Sequence, residues 1–241
     1  MSKLDNNTTK YGLTREQQRQ ASKYLGKHVT GAKALFLFIA TTIACAMPIL
    51  VGLRLWDKIP EIVQTGLIGA NGEDDSMPRA VLVYGIPGLM VILNTICHAQ
   101  LWIHQKAQAI PPQSSRIIGR YGFTVLSVFI ASGCALSAAG LKLDIGFIIP
   151  VALACILFFL GAHMFDVKRE SKIALHFRFM EYKEHVWNIT HRIAGICYVA
   201  ASLLIMFSVM YYGEVKMWTL PAVLILLVLP VPIGYYLSSK E

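Results

Sequence analysis

Residues 145–165 read IGFIIPVALACILFFLGAHMF and contain no Asp, Glu, Lys or Arg. At 1.5 Å per residue, a helix of this length crosses the ~30 Å hydrocarbon core of a bilayer. Five more apolar runs of similar length lie around it, at 34–55, 80–102, 121–140, 188–212 and 217–238. With 241 residues, 55% of them hydrophobic, and a mean hydropathy of +0.54, the chain falls among integral membrane proteins, and its length leaves no room for a soluble domain. The predicted fold is all-α: a polytopic bundle of six transmembrane helices over 34–241, preceded by a basic tail over 1–33.

Charge sets the expected orientation. The tail holds Lys3, Lys10, Arg15, Arg19, Lys23, Lys27 and Lys33, and the 103–120 loop holds Lys106, Arg116 and Arg120 with no acid. The predicted inner loop, 163–187, adds Lys168, Arg169, Lys172, Arg178 and Lys183. The opposite segments hold only Arg54, Lys58, Arg79, Lys142 and Lys216. The positive-inside rule then puts both termini in the cytoplasm. The net charge of +8 is accounted for by insertion and anionic membrane lipid, so no nucleic-acid partner is expected. No cleavable leader is visible, and the first run is expected to act as an uncleaved signal anchor. Cys45, Cys97, Cys134, Cys155 and Cys197 all fall inside predicted helices and read as small core hydrophobes rather than a disulfide framework.

Local signals refine the pattern. Thr14-Arg15-Glu16-Gln17 resembles a capping box and predicts a short interfacial helix to about Lys27. Pro48 should bend the first run or free a backbone carbonyl, and Trp56 marks the outer interface. The outer loop, 56–79, is acidic through Asp57, Glu61, Glu73, Asp74 and Asp75. Within it Ala70-Asn71-Gly72 is a turn signal, and Ile62–Ile68 either lies on the bilayer or forms a short strand. The third run is rich in small residues (Ala131, Gly133, Ala135, Ser137, Ala139), which predicts a central helix. Asp144 is placed to cap the fourth run, with Pro150 near enough to its start to be tolerated. Pro230 and Pro232 should distort the last half of the sixth.

Six of the seven histidines, His98, His104, His163, His176, His185 and His191, map to the inner side, with His28 in the tail. They read either as a metal or proton site or as interfacial side chains. The six-residue spacings and the absence of His-Glu-x-x-His or Cys-x-x-Cys weigh against a metal, and no cofactor is expected. Glu184, Asn188, His191 and Gly195 share one helix face with Arg192 beside them. Arg192 either snorkels to the cytoplasm or joins a polar cluster at the inner face with Asn94, His98, Asn188 and His191. There is no phosphate loop, no Gly-x-Ser-x-Gly elbow and no carboxylate at mid-membrane, so no catalytic residues are assigned.

Two segments resemble a known family. Met47-Pro48-Ile49 through Trp56-Asp57-Lys58-Ile59-Pro60, followed by the 70–80 stretch, is similar to the domain of unknown function at the start of Sdp-type immunity proteins. Phe177-Arg178, then Val186-Trp187-Asn188-Ile189-Thr190-His191-Arg192-Ile193-Ala194-Gly195, is similar to that family's Trp-x-x-Thr-His-Arg-x-x-Gly signature. The resemblance and the helices around it span most of 40–212. Ile62 stands where the family has a histidine, and Arg178-Phe179-Met180-Glu181 departs from its Arg-Thr-Pro-Trp stretch.

The resemblance implies a multi-pass protein of the bacterial inner membrane that gives immunity to a secreted, membrane-active peptide toxin. It implies roles for Arg178, Trp187, Thr190, His191, Arg192 and Gly195, and a cytoplasmic regulator as partner. A cationic peptide would first meet the acidic outer loop, where Asn71, Glu73, Asp74 and Asp75 are the candidate ligand residues. Two other readings stand beside it: an accessory or permease-like subunit working with a transporter ATPase, and a membrane enzyme built on the inner histidines.

Overall fold

A computed structural model of the chain describes residues 31–68, 74–106, 113–142, 144–165, 167, 171, 174–180 and 183–240. Among these residues six helical spans are long and apolar enough to cross a membrane: Gly31–Arg54, Val81–Ile103, Arg116–Ala138, Ile145–Met164, Glu184–Tyr212 and Thr219–Lys240. The protein is therefore an all-α, six-span membrane bundle. The predicted interfacial helix of the tail lies outside the described residues.

Between the first two spans stands a small antiparallel hairpin, β1 (Ile62–Ile68) and β2 (Asp74–Pro78). Ile62 faces Pro78, Val63 faces Met77 and Gln64 faces Ser76, before a register shift brings Ile68 opposite Asp74. Of the two expectations for 62–68, the strand is the one observed. The Ala70-Asn71-Gly72 turn lies outside the described residues.

Pro48 divides the first span into helices Gly31–Ala46 and Pro48–Arg54. Lacking an N–H, proline cannot close the helical ladder, and a carbonyl near the break needs another donor. Ser127 from the third span supplies one, its hydroxyl donating to the Cys45 carbonyl at 2.6 Å. Ser127 itself opens a π-helical turn, Ser127–Ala131, and a second π-turn, Val81–Gly85, starts the second span. Val83 in that turn presses on Gly52, where a Cβ would lie 2.5 Å from a Val83 methyl. Both helical irregularities thus sit where a neighbour crosses the broken first span.

The fifth span, not the third, forms the centre of the bundle. In its most apolar window 67% of residues are buried, against 39% in the third. A close crossing explains this. A Cβ on Gly161 of the fourth span would lie 2.8 Å from the Val199 backbone nitrogen and 2.9 Å from the Gly195 carbonyl oxygen. A Cβ on Gly195 would lie 2.9 Å from the Gly161 carbonyl oxygen. Only paired glycines let the backbones meet this closely. In the third span Ala131, Ser132 and Ala135 are buried, whereas Ser137 faces outward.

Asp144 caps the fourth span, its Oδ1 accepting the Phe147 N–H at 2.8 Å, and the helix continues through Pro150 to Met164. The sixth span breaks before Pro230 into helices Thr219–Val228 and Pro230–Lys240, as its prolines predict.

Candidate functional site

Among the described residues, polar side chains concentrate in three places. The first lies among spans one to three, in the half toward the tail. Asn94 is fully buried, and its Nδ2 donates to the hydroxyls of Thr41 at 3.2 Å and Thr42 at 3.3 Å. The Thr41 hydroxyl donates to its own helix at Leu37 O, 2.8 Å away. Its oxygen therefore acts as an acceptor toward His98 Nε2 at 3.2 Å. The Arg120 carbonyl lies 3.4 Å from the same nitrogen and can only accept. His98 thus carries its proton on Nε2. Among the described residues the Asn94 Oδ1 has no hydrogen-bond partner. Beside His98 a groove of about 400 Å³ runs between the first two spans, walled by Leu35, Phe38, Leu101 and Trp102 and reached by Arg120.

The second place is the start of the fifth span. His191 is only 2% exposed. Its Nε2 accepts the Leu175 N–H at 3.1 Å, so that nitrogen is unprotonated, and Nδ1–H donates to the Trp187 carbonyl at 2.8 Å. Both ring nitrogens are occupied by backbone, which leaves none for a metal. The Trp187 ring lies 4.1 Å from His191 and 5.5 Å from His176. Thr190 packs on the last helix, where a Cβ on Gly234 would come within 2.5 Å of its hydroxyl. Nearby, Lys183 Nζ donates to the Ser238 carbonyl at 2.5 Å and the Ser238 hydroxyl to the Phe179 carbonyl at 2.8 Å. Trp187, Thr190, His191 and Gly195 thus fasten the 174–180 loop, the fourth span and the sixth to one helix. A second cavity, of about 290 Å³, opens beside His176, Phe177, Arg178 and Trp187.

The inner-face cluster expected from sequence is divided between these two places. Asn94 and His98 meet Thr41 on the first span, while His191 turns to the 174–180 loop. Asn188 and Arg192 are exposed, as are Glu184 and Arg178. No hydrogen bond among the described residues joins the two groups. The reason is helix order: the second span packs on the first and third, the fifth on the fourth and sixth. His163, His176 and His185 are exposed, and His176 meets the Ser171 carbonyl at 3.0 Å. His28 and the His104 side chain lie outside the described residues. Among the described residues no three His, Cys, Asp or Glu side chains gather closely enough to hold a metal ion.

The third place is the hairpin end. The Arg79 guanidinium lies 4.4 Å from the centre of the Trp56 ring and donates to the Trp56 carbonyl at 3.3 Å. It also reaches Glu61 at 4.0 Å, which ties the hairpin base to the first span. Arg54 Nη1 donates to the Val209 carbonyl at 3.1 Å, a cation at the negative end of the fifth helix. That helix stops at Gly213, whose φ of 88° is left-handed. A Cβ there would collide with the Arg54 guanidinium. The turn to the sixth span hangs on Ser208, which donates to the Glu214 carbonyl and accepts from the Lys216 N–H and the Thr219 hydroxyl. Lys216 sits 2.5 Å from the exposed Glu214 carboxylate and holds its pKa below the ordinary glutamate range. Asn71 and Glu73 lie outside the described residues. Asp74 and Asp75 are placed in β2, but their side chains are not among those described.

Sequence reasoning took Arg54 and Arg79 for topogenic charges only. The flanks Leu53 and Leu55 of Arg54 were the available sign that it sits within a helix and needs a partner. Comparison of the chain with protein-family models, curated proteins and solved structures finds no match.

Proposed function

We propose that this chain is a non-enzymatic immunity or sensor protein of the bacterial inner membrane, which captures a secreted, cationic, membrane-active peptide at its hairpin. Both termini and the 163–187 loop face the cytoplasm in this reading, and the basic tail and loop there meet a soluble regulator.

The observation that carries the reading is the hairpin itself. Among the described residues it is a two-stranded sheet, so each strand has one neighbour and one open edge there. It belongs to a segment with five acids, Asp57, Glu61, Glu73, Asp74 and Asp75, against Lys58 and Arg79. An extended cationic peptide fits such an edge through main-chain hydrogen bonds, with the acids drawing it in. The similarity of the 186–195 motif to Sdp-type immunity proteins supports the same reading.

The test is binding of a fluorescent cationic amphipathic peptide to the full chain in zwitterionic nanodiscs, alongside survival of expressing cells. Combining Glu73→Gln, Asp74→Asn and Asp75→Asn should weaken binding by about tenfold at low salt, taking ~0.5 kcal/mol for each exposed charge pair. The loss should shrink at high salt. Undiminished binding and protection at low salt would sink the reading.

A further inference from the structure

We infer that the groove between the first two spans is a binding site for an isoprenoid quinol, a flat aromatic diol whose hydroxyl donates to His98 Nδ1 and whose isoprenoid chain lies along the apolar wall. The groove follows from the sequence of both walls. Gly31, Ala34 and Phe38 recur at i, i+3 and i+7 on the first span, and Thr95, Ala99 and Trp102 at i, i+4 and i+7 on the second. The short side chains of Gly31, Ala34 and Ala99 leave a trough, which Phe38 and Trp102 border. Its volume of about 400 Å³ accommodates an aromatic ring and the start of an isoprenoid chain. Leu35 and Trp102 on the rim are 59% and 40% exposed, so the trough opens sideways toward lipid rather than along the bundle axis.

The hydrogen-bonding groups of the wall select the occupant. His98 Nε2–H is directed at the Thr41 hydroxyl and the Arg120 carbonyl. Nδ1 is then the acceptor nitrogen of the ring. It has no hydrogen bond among the described residues and is not among their enclosed, unpartnered atoms, so it lies on the accessible side of the ring, which is the groove wall. Thr95, one turn before His98, donates its proton to the Val91 carbonyl at 2.8 Å and offers the groove only its oxygen lone pairs. Trp102 and Arg120 also line the groove, but each has an interaction within the protein, and the ligand requires neither as a polar partner. A ligand that donates is therefore matched at His98, whereas a quinone, with carbonyls alone, is not. Depth narrows the choice further. His98 stands five residues before Ile103, the end of the second span, or about 7.5 Å inside it. A charged headgroup at that level would leave its water, while a neutral hydroxyl gains an acceptor there. The Phe38 ring, 5.5 Å from His98, and Trp102 give the site aromatic walls, which suit a flat ring better than a glyceride.

The test measures retention of a tritiated geranyl naphthoquinol by the full chain in phosphatidylcholine nanodiscs, corrected for empty nanodiscs and kept reduced by dithionite. Three tritiated comparison probes are its dimethyl ether, the oxidised naphthoquinone and dioctanoylglycerol. The quinol should reach half-saturation at about tenfold lower mole fraction than the ether or the quinone, as one added hydrogen bond predicts. Dioctanoylglycerol should bind more weakly than the quinol. His98→Phe, which keeps a ring but removes the acceptor, should bring the quinol down to the level of its ether. Ala34→Leu with Ala99→Leu, on the faces that form the trough, should reduce retention of quinol and ether alike. Equal retention of quinol and ether by the wild type overturns the proposal, as does a preference that survives His98→Phe. Dioctanoylglycerol held as tightly as the quinol would mean that any lipid alcohol fits, and the proposal fails. Should His98→Phe not fold, the ether comparison and the double leucine variant decide the matter: quinol retention unchanged in that variant places the ligand elsewhere.

Discussion

His98 and His191 are both histidines in the tail-side half of their spans, yet they carry their protons on opposite nitrogens. His191 has the Nδ1–H form, with backbone at both ring nitrogens and tryptophan against its face. His98 has the Nε2–H form, directed at a threonine hydroxyl and a carbonyl, and it stands at the wall of a groove. The first is consumed by folding, because it joins a loop to the central helix. The second keeps part of its ring surface on the groove wall. Residue type and membrane depth are shared, so the difference lies wholly in which neighbours the tertiary structure supplies.

This contrast can be broken most decisively at the crossing that seats the His191 region. Gly161→Val puts a branched side chain where a Cβ alone would be 2.8 Å from backbone nitrogen. We expect about 3 kcal/mol or more of destabilisation, seen as a large fall in thermal stability in detergent. An unchanged melting temperature would mean that the fourth and fifth spans do not meet there.

His191→Ala comes next, at about 2–3 kcal/mol. It strands the Leu175 N–H and empties a buried ring site against Trp187. Proteolysis should then cut more readily near the 174–180 loop. If His98→Ala costs as much, the division between a structural and an available histidine fails.

Asn94→Leu sharpens the other side of the contrast. The residue is fully buried, its Oδ1 meets no partner among the described residues, and polar contacts between membrane helices contribute only ~0.6 kcal/mol on average. A leucine of similar volume should therefore shift stability by less than about 1 kcal/mol in either direction. A loss as large as that of His191→Ala would make the Thr41–Asn94–His98 group a folding element instead.

The smallest effect is expected at the hairpin end, far from either histidine. Glu214→Gln removes an exposed contact with Lys216 and should move the melting temperature less than any variant above. The folded-state pKa of Glu214 lies below its ordinary value. Its contribution is therefore present above the unfolded pKa and is lost as pH falls through the lowered one. The difference between wild type and Glu214→Gln should accordingly vanish on acidification. A difference that grows at low pH would reverse the sign of this linkage.

The comparison also shows what the motif at 186–195 is made for. From sequence, Asn188, His191 and Arg192 looked like one polar face. In the bundle His191 turns inward while Asn188 and Arg192 are exposed. A helix in contact with several neighbours divides such a face among them, and periodicity cannot say where the division falls. Thr190 and Gly195 had no evident polar role, and each turns out to receive another backbone or glycine at close range.

The sequence by itself determined the number of spans, their limits within a few residues, the breaks at Pro48 and Pro230 and the cap at Asp144. Hydropathy, missing N–H groups and a capping carboxylate act over one helix at a time, so one helix suffices to read them. It misjudged which span is central, because small residues permit close approach but do not choose the partner. That choice required Gly161 to meet Gly195, two residues 34 positions apart. The tautomers of the two histidines, the Arg54 cap on the fifth helix and the groove at Arg120 were decided the same way. Each depends on atoms from different helices, and only packing sets the distance between them.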